Sequence, residues 1–171
     1  MIPVEASFVL EMMLKAEPRP TPWHDTYMST AQAVAKSANK YPLFAGDDGP
    51  AKSAALAVGV MWFESHFEPK AKGDRQCLER DARGDCLKRG EPQSLCAFQV
   101  GVSNFKGLGV TEESILGDIQ VCSDSGFRMM RTSFSICSGG DWTIEDRLNQ
   151  YATGGSVCQR PFHDEGGHRV R

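Results

Sequence analysis

Residues 50–71 read PAKSAALAVGVMWFESHFEPKA, and this stretch decides the fold. From Ala54 to Phe63 (AALAVGVMWF) the run is apolar. It is long enough for a buried helix and too short for a membrane span, which needs roughly 20 apolar residues. Pro50, after GDDG, suits a helix start, because a proline at the first position removes no intrahelical hydrogen bond. Pro69 limits the other end, since the residue before a proline disfavours helical backbone. With hydrophobic residues on every face, the helix is expected to run through the middle of the core, with Trp62 and Phe63 packed inside it. Glu64 then falls in the last turn, where a core helix opens onto a cleft. Apolar neighbours partly strip such a carboxylate of water, which disfavours its charged form and raises its pKa toward neutrality, as a general acid requires. The plainer reading of Glu64 is a helix-terminal carboxylate that solvates the exit.

Outward from this helix the pattern is mostly helical. Val4 to Glu17 carries apolar residues at near-helical spacing and stops at Pro18, and PRPTPW (18–23) reads as an extended connector. Asp25 or Thr26 can cap a second helix to about Lys40, followed by the loop YPLFAGDDGP. Thr111 with Glu113 and Ser114 suits another start, and an interrupted apolar stripe (Ile115, Leu116, Ile119, Val121, Cys122) continues to about Phe134. Asp141 or Thr143 can cap a last helix carrying Ile144, Leu148 and Tyr151, with Gly154 and Gly155 as its stop.

A chain of 171 residues fits one domain with a single core. The expected organisation is an amino-terminal helix and connector over about 1–23, a cysteine-containing insert over about 72–95, and a flexible tail over about 160–171. A hydrophobic fraction of 40% and a charged fraction of 24% are those of a soluble globular protein. The net charge of −3 provides no basic footprint for nucleic acid and no broad attraction to an anionic surface.

Six cysteines are unusual in a reduced cytosolic protein of this size, yet the start MIPVEASFVLEMMLKAEPRP does not resemble a secretory signal. An exported, periplasmic or extracellular site of action without an evident amino-terminal signal is the expectation. A phage lysin, a virion-borne protein or a secretion-system effector fits, as does a chain trimmed of its signal. Cys77 with Cys86 is the expected pair, closing a short loop worth roughly 2 to 3 kcal/mol in the chain-entropy model. Cys122 with Cys137, or either with Cys158, is a weaker expectation. No C-x-x-C pair is present, so no metal site is expected. His163 and His168, in the tail, could form a surface metal site, but a solvated tail is the plainer reading.

The string Glu64-Ser65-His66-Phe67-Glu68-Pro69-Lys70-Ala71 resembles the catalytic motif E-S-x-F-x-P-x-A of the soluble lytic transglycosylases and their goose-type lysozyme relatives. Two further segments follow in the family's order. Cys96-Ala97-Phe98-Gln99-Val100 is similar to G-L-M-Q, with Cys96 in the glycine's place. Gln150-Tyr151-Ala152-Thr153-Gly154 is similar to A-Y-N-A-G, with Ala152 in the asparagine's place. The stretch between Glu64 and Gln99 is longer than the family's and holds the insert GDRQCLERDARGDCLKRGEPQ.

The resemblance implies a lysozyme-like α+β domain, mainly α, with a central buried helix and a small sheet or hairpin at the insert. It implies a peptidoglycan-cleaving enzyme that needs no cofactor, acting on the β-1,4 bond between N-acetylmuramic acid and N-acetylglucosamine with Glu64 as general acid and base. It also implies that Ser65 and Gln99 line the cleft and that Tyr151 stands near Glu64. From the residues alone, Ser65 reads equally as a helix-end hydroxyl, Gln99 as a polar strand or loop residue, and Tyr151 as a core aromatic; Phe98 reads as core. Hydrolysis, the alternative chemistry, needs a second carboxylate, for which Asp74, Asp81 and Asp85 are candidates beside the reading of a solvated loop. Two other classes remain: an inactive lysozyme-like module that binds cell wall or a protein partner, and a thiol enzyme with His163 as base.

Overall fold

The computed structural model describes residues 1–153. Helix α1 (Ala6–Ala16) forms where Val9 and Met13 recur four apart, and both are buried. The connector is not extended throughout: Thr21–Trp23, with Pro22 presetting its backbone, winds a 3-10 turn that runs straight into α2 (His24–Lys40). Asp25 and Thr26 therefore lie inside the first turn of α2 instead of capping it. Tyr27, Ala31, Val34, Ala35 and Ala38 form the buried stripe of α2.

α3 (Gly49–Ser65) has Pro50 in its first turn and ends before Pro69, as the sequence predicts. Its burial differs from the expectation. Ala54, Ala57, Val58 and Met61 pack against α1 and α2, whereas Lys52, Ala55, Gly59, Trp62, Phe63 and His66 share the opposite side and are exposed. Trp62 is 42% and Phe63 48% exposed, so neither lies in the core or covers Glu64 from inside it. The reason is that apolarity on all faces permits burial without forcing it. The alanines allow close approach on one side, and no described element covers the other.

After α3, β1 (Lys72–Arg80) and β2 (Cys86–Leu95) form an antiparallel hairpin in the expected insert, and β3 (Val100–Gly101) adds to β2 at its carboxyl end. The Cys77–Cys86 disulfide staples the hairpin near its tip, as expected. α4 (Phe105–Leu108) follows a 3-10 turn at Val102–Asn104. α5 (Glu112–Gly117) opens with a capping box between Thr111 and Ser114. What the sequence suggested as one segment to Phe134 is two helices. Asp118 takes extended backbone and caps α6 (Ile119–Ile136) by accepting from Gln120 N. α7 (Ile144–Thr153) starts with a reciprocal pair in which Thr143 N–H donates to the Asp146 carboxylate and Asp146 N–H to Thr143 Oγ1.

The architecture is thus α+β and mainly helical, with a small antiparallel sheet. One core joins α1, α2, α3, the 95–100 segment and α6. A polar clamp ties α2 to α6, where the Asp124 carboxylate accepts from Ser37 Oγ (2.6 Å), Lys40 Nζ (3.0 Å) and Gln120 Nε2 (2.8 Å). Among the described residues no helix is long and apolar enough to cross a membrane. Gly154, Gly155, Cys158, His163, His168 and the rest of the expected tail lie outside the described residues.

Candidate functional site

Glu64 is half-buried in the last turn of α3, one residue before the helix ends. The chain then reverses through two left-handed residues, His66 (φ 51°) and Phe67 (φ 62°), whose N–H groups return to the carbonyls of Trp62 and Met61. A bulky residue rarely adopts this backbone. Phe67 holds it because its fully buried ring packs edge-on against Tyr27, with centroids 5.5 Å apart. His66 faces solvent, with Nδ1 2.9 Å from a Glu17 carboxylate oxygen and its ring against Trp62.

The second site segment is the turn from Cys96 to Gln99. Both of its ends are left-handed, Cys96 at φ 66° and Gln99 at φ 49°, so the four left-handed non-glycine residues among those described all fall in these two segments. Three successive carbonyls of the turn accept side-chain hydrogens. Cys96 O accepts from Gln99 Nε2 (2.9 Å), Ala97 O from Ser65 Oγ (2.9 Å), and Phe98 O from the Tyr151 hydroxyl (2.5 Å). Ser65 also donates to Met61 O, so its hydroxyl stitches the end of α3 to the turn. Gln99 Oε1 accepts from Ser94 Oγ at 2.7 Å. The Gln99 side chain lies across Gly73, where a Cβ would stand 1.8 Å from that oxygen, so any other residue there would push the Gln99 amide out of its present place.

Tyr151, on α7, is buried beneath the turn. Burial pushes its phenol well above the usual tyrosine range, and the Glu64 charge pushes it further, which brings Tyr151 and Glu64 within electrostatic reach of each other. Phe98 is core: its ring packs near Phe127 and sits over Gly126 of α6. The structure therefore brings Glu64, Ser65, Gln99 and Tyr151 around one turn.

The acidic candidates of the insert lie elsewhere. Asp81 and Asp85 form the hairpin turn, where the Asp81 carboxylate accepts from the N–H groups of Arg83 (2.8 Å) and Asp85 (2.9 Å). The hairpin base, at Lys72 and Leu95, adjoins the site turn, and the length of β1 separates it from Asp81. The side chain of Asp74 lies outside those described. Beside the hairpin, Gln76, Leu78, Gly90, Glu91, Pro92, Gln93, Val102 and Ser103 line a cavity of about 560 Å³.

Cys122 does not pair with Cys137 or Cys158. It bonds to Cys96, with Cα atoms 6.1 Å apart, and Cys137 is disulfide-bonded as well. For Cys122 the expectation failed because Cys96 looked like a substituted glycine of a motif, and nothing local in the sequence marks it as α6's partner; the pairing of Cys137 with Cys158 falls on a residue outside those described. Such bonds suit an oxidising compartment. Gly73, Ser94, Gly126 and Cys122 were not read from the sequence as site-supporting residues; a glycine within the otherwise helical stretch 119–134 was the available signal for Gly126. Among the described residues no group of three or more His, Cys, Asp or Glu could hold a metal ion.

Comparison with protein-family models, with curated proteins and with solved structures finds no significant match.

Proposed function

We propose that the protein cleaves peptidoglycan at the β-1,4 bond between N-acetylmuramic acid and N-acetylglucosamine, as a lytic transglycosylase or muramidase with a lysozyme-like fold. One observation carries the reading. The three segments that resemble the family's motifs, distant in sequence, meet through the hydrogen bonds from Ser65 to Ala97 O and from Tyr151 to Phe98 O, beside a half-buried Glu64. Backbone conformations that a chain avoids elsewhere collect at the same place, a pattern that recurs at functional sites.

In this reading the Glu64 carboxylic acid gives its proton to the glycosidic oxygen as positive charge builds on the muramyl ring. The C6 hydroxyl attacks the anomeric carbon, returns its proton to the Glu64 carboxylate and closes a 1,6-anhydro ring, with no water consumed. The hydrolytic alternative would place a second carboxylate about 6.5 to 9.5 Å away for inversion. Asp81 and Asp85, in the hairpin turn, stand at the far end of β1 from the site and do not supply that group, which leaves Asp74, at the hairpin base, as the insert's candidate for it. Ser65 and Gln99 act mainly by shaping the turn, since their polar atoms are already bonded within the protein.

The test is clearing of purified cell wall, with mass spectrometry of the released muropeptides. Wild-type protein is expected to clear the wall and release products one water lighter than hydrolysed ones. Glu64→Gln should lower the rate by about 100-fold or more. Hydrated products alone would convert the assignment to a muramidase. Clearing that survives Glu64→Gln would remove the catalytic role of Glu64. A wild-type protein that binds wall without clearing it would favour the inactive module, the reading that Ala152 in the asparagine position keeps in view.

A further inference from the structure

Cys96 and Cys122 are fully buried and joined to each other. Cys96 opens the turn whose next carbonyls receive Ser65 and Tyr151, and its own carbonyl receives Gln99. Its left-handed backbone is one that glycine adopts freely and an L-residue adopts at a cost. Cys122 stands four residues before Gly126 on α6, so the two lie one above the other on one helix face. Gly126 receives the Phe98 ring. Thus α6 grips the turn at two points, covalently at Cys96 and by packing at Phe98. If the covalent grip is removed, the turn can relax toward ordinary backbone, carrying away the acceptors that align Ser65 and Tyr151 beside Glu64.

We propose that the Cys96–Cys122 disulfide is the positioning element that makes the site competent, so that the chain becomes active only after it reaches oxidising surroundings. This rests on the proposed reading of the site and adds its regulation. In the dithiol form the helices still pack, because α1, α2, α3 and α6 also contact one another directly, while segment 94–100 loses its covalent hold. Cys77–Cys86 has no such role, since it staples exposed strands near the hairpin tip.

Closure occurs by thiol–disulfide exchange with a small-molecule or protein disulfide. The thiolate of one cysteine attacks the donor, forming a mixed disulfide and releasing one donor thiolate. The thiolate of the other cysteine then displaces the second. Two protein thiols lose two electrons and two protons, and the donor disulfide becomes two thiols. Because both sulfurs are buried in the finished fold, exchange belongs to the assembling chain, and the closed bond is shielded from mild reductants.

The experiment refolds the reduced full-length protein in buffers of graded oxidised-to-reduced glutathione ratio, quenches by alkylation and counts each bond by mass spectrometry. Wall-clearing rate and amide hydrogen exchange are measured on the same samples. Activity is expected to follow the fraction holding Cys96–Cys122. Cys77→Ala/Cys86→Ala should keep the full rate. Cys96→Gly/Cys122→Ala, which tolerates the left-handed backbone, should lose kcat on the order of 100-fold, with a smaller change in apparent KM. Its exchange should quicken in 94–100 and not in α2.

Wild-type rate and slow 94–100 exchange in the Cys96→Gly/Cys122→Ala protein would overturn the proposal. So would activity that follows Cys77–Cys86, or the bond at Cys137, across the refolding series, which decides the matter even if the double variant does not fold. If oxidised wild-type protein clears no wall yet 94–100 still orders only with Cys96–Cys122, the positioning role stands and the peptidoglycan reading fails.

Discussion

Two mid-helix glycines should answer the same substitution with opposite signs. Gly59 lies on the exposed side of α3, and a Cβ built there meets nothing within 4 Å. Gly126 lies on the buried side of α6, and a Cβ there would stand 2.4, 2.5 and 2.9 Å from Cγ, Cδ1 and Cβ of Phe98. Alanine gains roughly 0.5 to 1 kcal/mol over glycine in a helix interior, so Gly59→Ala should stabilise by about that amount. Gly126→Ala has the same gain but must move Phe98 by roughly 1 Å to restore ordinary carbon contacts. The ring cannot swing clear about its own Cβ, which is among the clashing atoms. Its backbone is held by the Tyr151 hydroxyl on its carbonyl and by the disulfide at Cys96. Overpacking of this kind costs about 1 to 3 kcal/mol. Because the propensity gain is common to both variants, the difference between them isolates the overpacking. Their melting temperatures should then differ by roughly 2 to 12 °C, given about 2 to 4 °C per kcal/mol for a chain of this size. Urea and thermal melts followed by circular dichroism measure this, with disulfides intact. A Gly126→Ala protein as stable as Gly59→Ala would refute the placement of Phe98 against α6, and with it the alignment of the site turn.

Other consequences are checked with the same equipment. Burial pushes the Asp124 carboxyl up, but hydrogen bonds from Ser37, Lys40 and Gln120 outweigh it and hold the group below its ordinary value. Its stabilising contribution is therefore complete above the unfolded pKa of about 3.9 and is lost as pH falls through the lower folded one. Asp124→Asn should melt below wild type at pH 6, and the gap should close in acid beneath that window. Tyr151→Phe leaves Phe98 O buried without its donor and should cost about 1 to 3 kcal/mol by urea titration. Combined with Gly126→Ala it should be non-additive, because both act on Phe98. Phe67→Ala removes a fully buried ring while keeping a left-handed position, for a loss of about 3 to 5 kcal/mol; a loss below 1 kcal/mol would show that the reversal after Glu64 does not depend on that anchor.

Local signals in the sequence were sufficient where the determining contacts are local. Pro50 and Pro69 bracket α3, Thr111 and Ser114 form the capping box of α5, and the short Cys77 to Cys86 loop closes on itself. The extent of the hairpin was legible because the insert stands out against the motifs on either side. The errors share a cause. The exposed side of α3 was misread because an apolar residue reports compatibility with burial and not the presence of a covering element. The Cys96–Cys122 bond was missed because the two residues are adjacent only after α6 packs across the turn, a long-range fact with no local signature. Glu64, Ser65, Gln99 and Tyr151 were selected together through the resemblance of three ordered segments, and the structure brings the four around one turn. That Ser65 and Gln99 are occupied with the protein's own polar atoms was not visible before the turn was.

The conformations at Cys96, Gln99, His66 and Phe67 indicate how the site is held. A turn built from glycines would adopt left-handed backbone without help, and would leave it as readily. Here each left-handed residue is fastened by its own side chain: Cys96 by a covalent bond, Gln99 by two hydrogen bonds, Phe67 by its buried ring and His66 by Glu17. The unfavourable backbone energy, on the order of 1 to 2 kcal/mol for each, is therefore offset by contacts that exist only once α2, α6, the hairpin base and the end of α1 are all in place. Local order at Glu64 is thereby coupled to completion of the whole fold. Loss of any single fastening should loosen the turn before it melts the helices, which is the signature that hydrogen exchange across 94–100 can read.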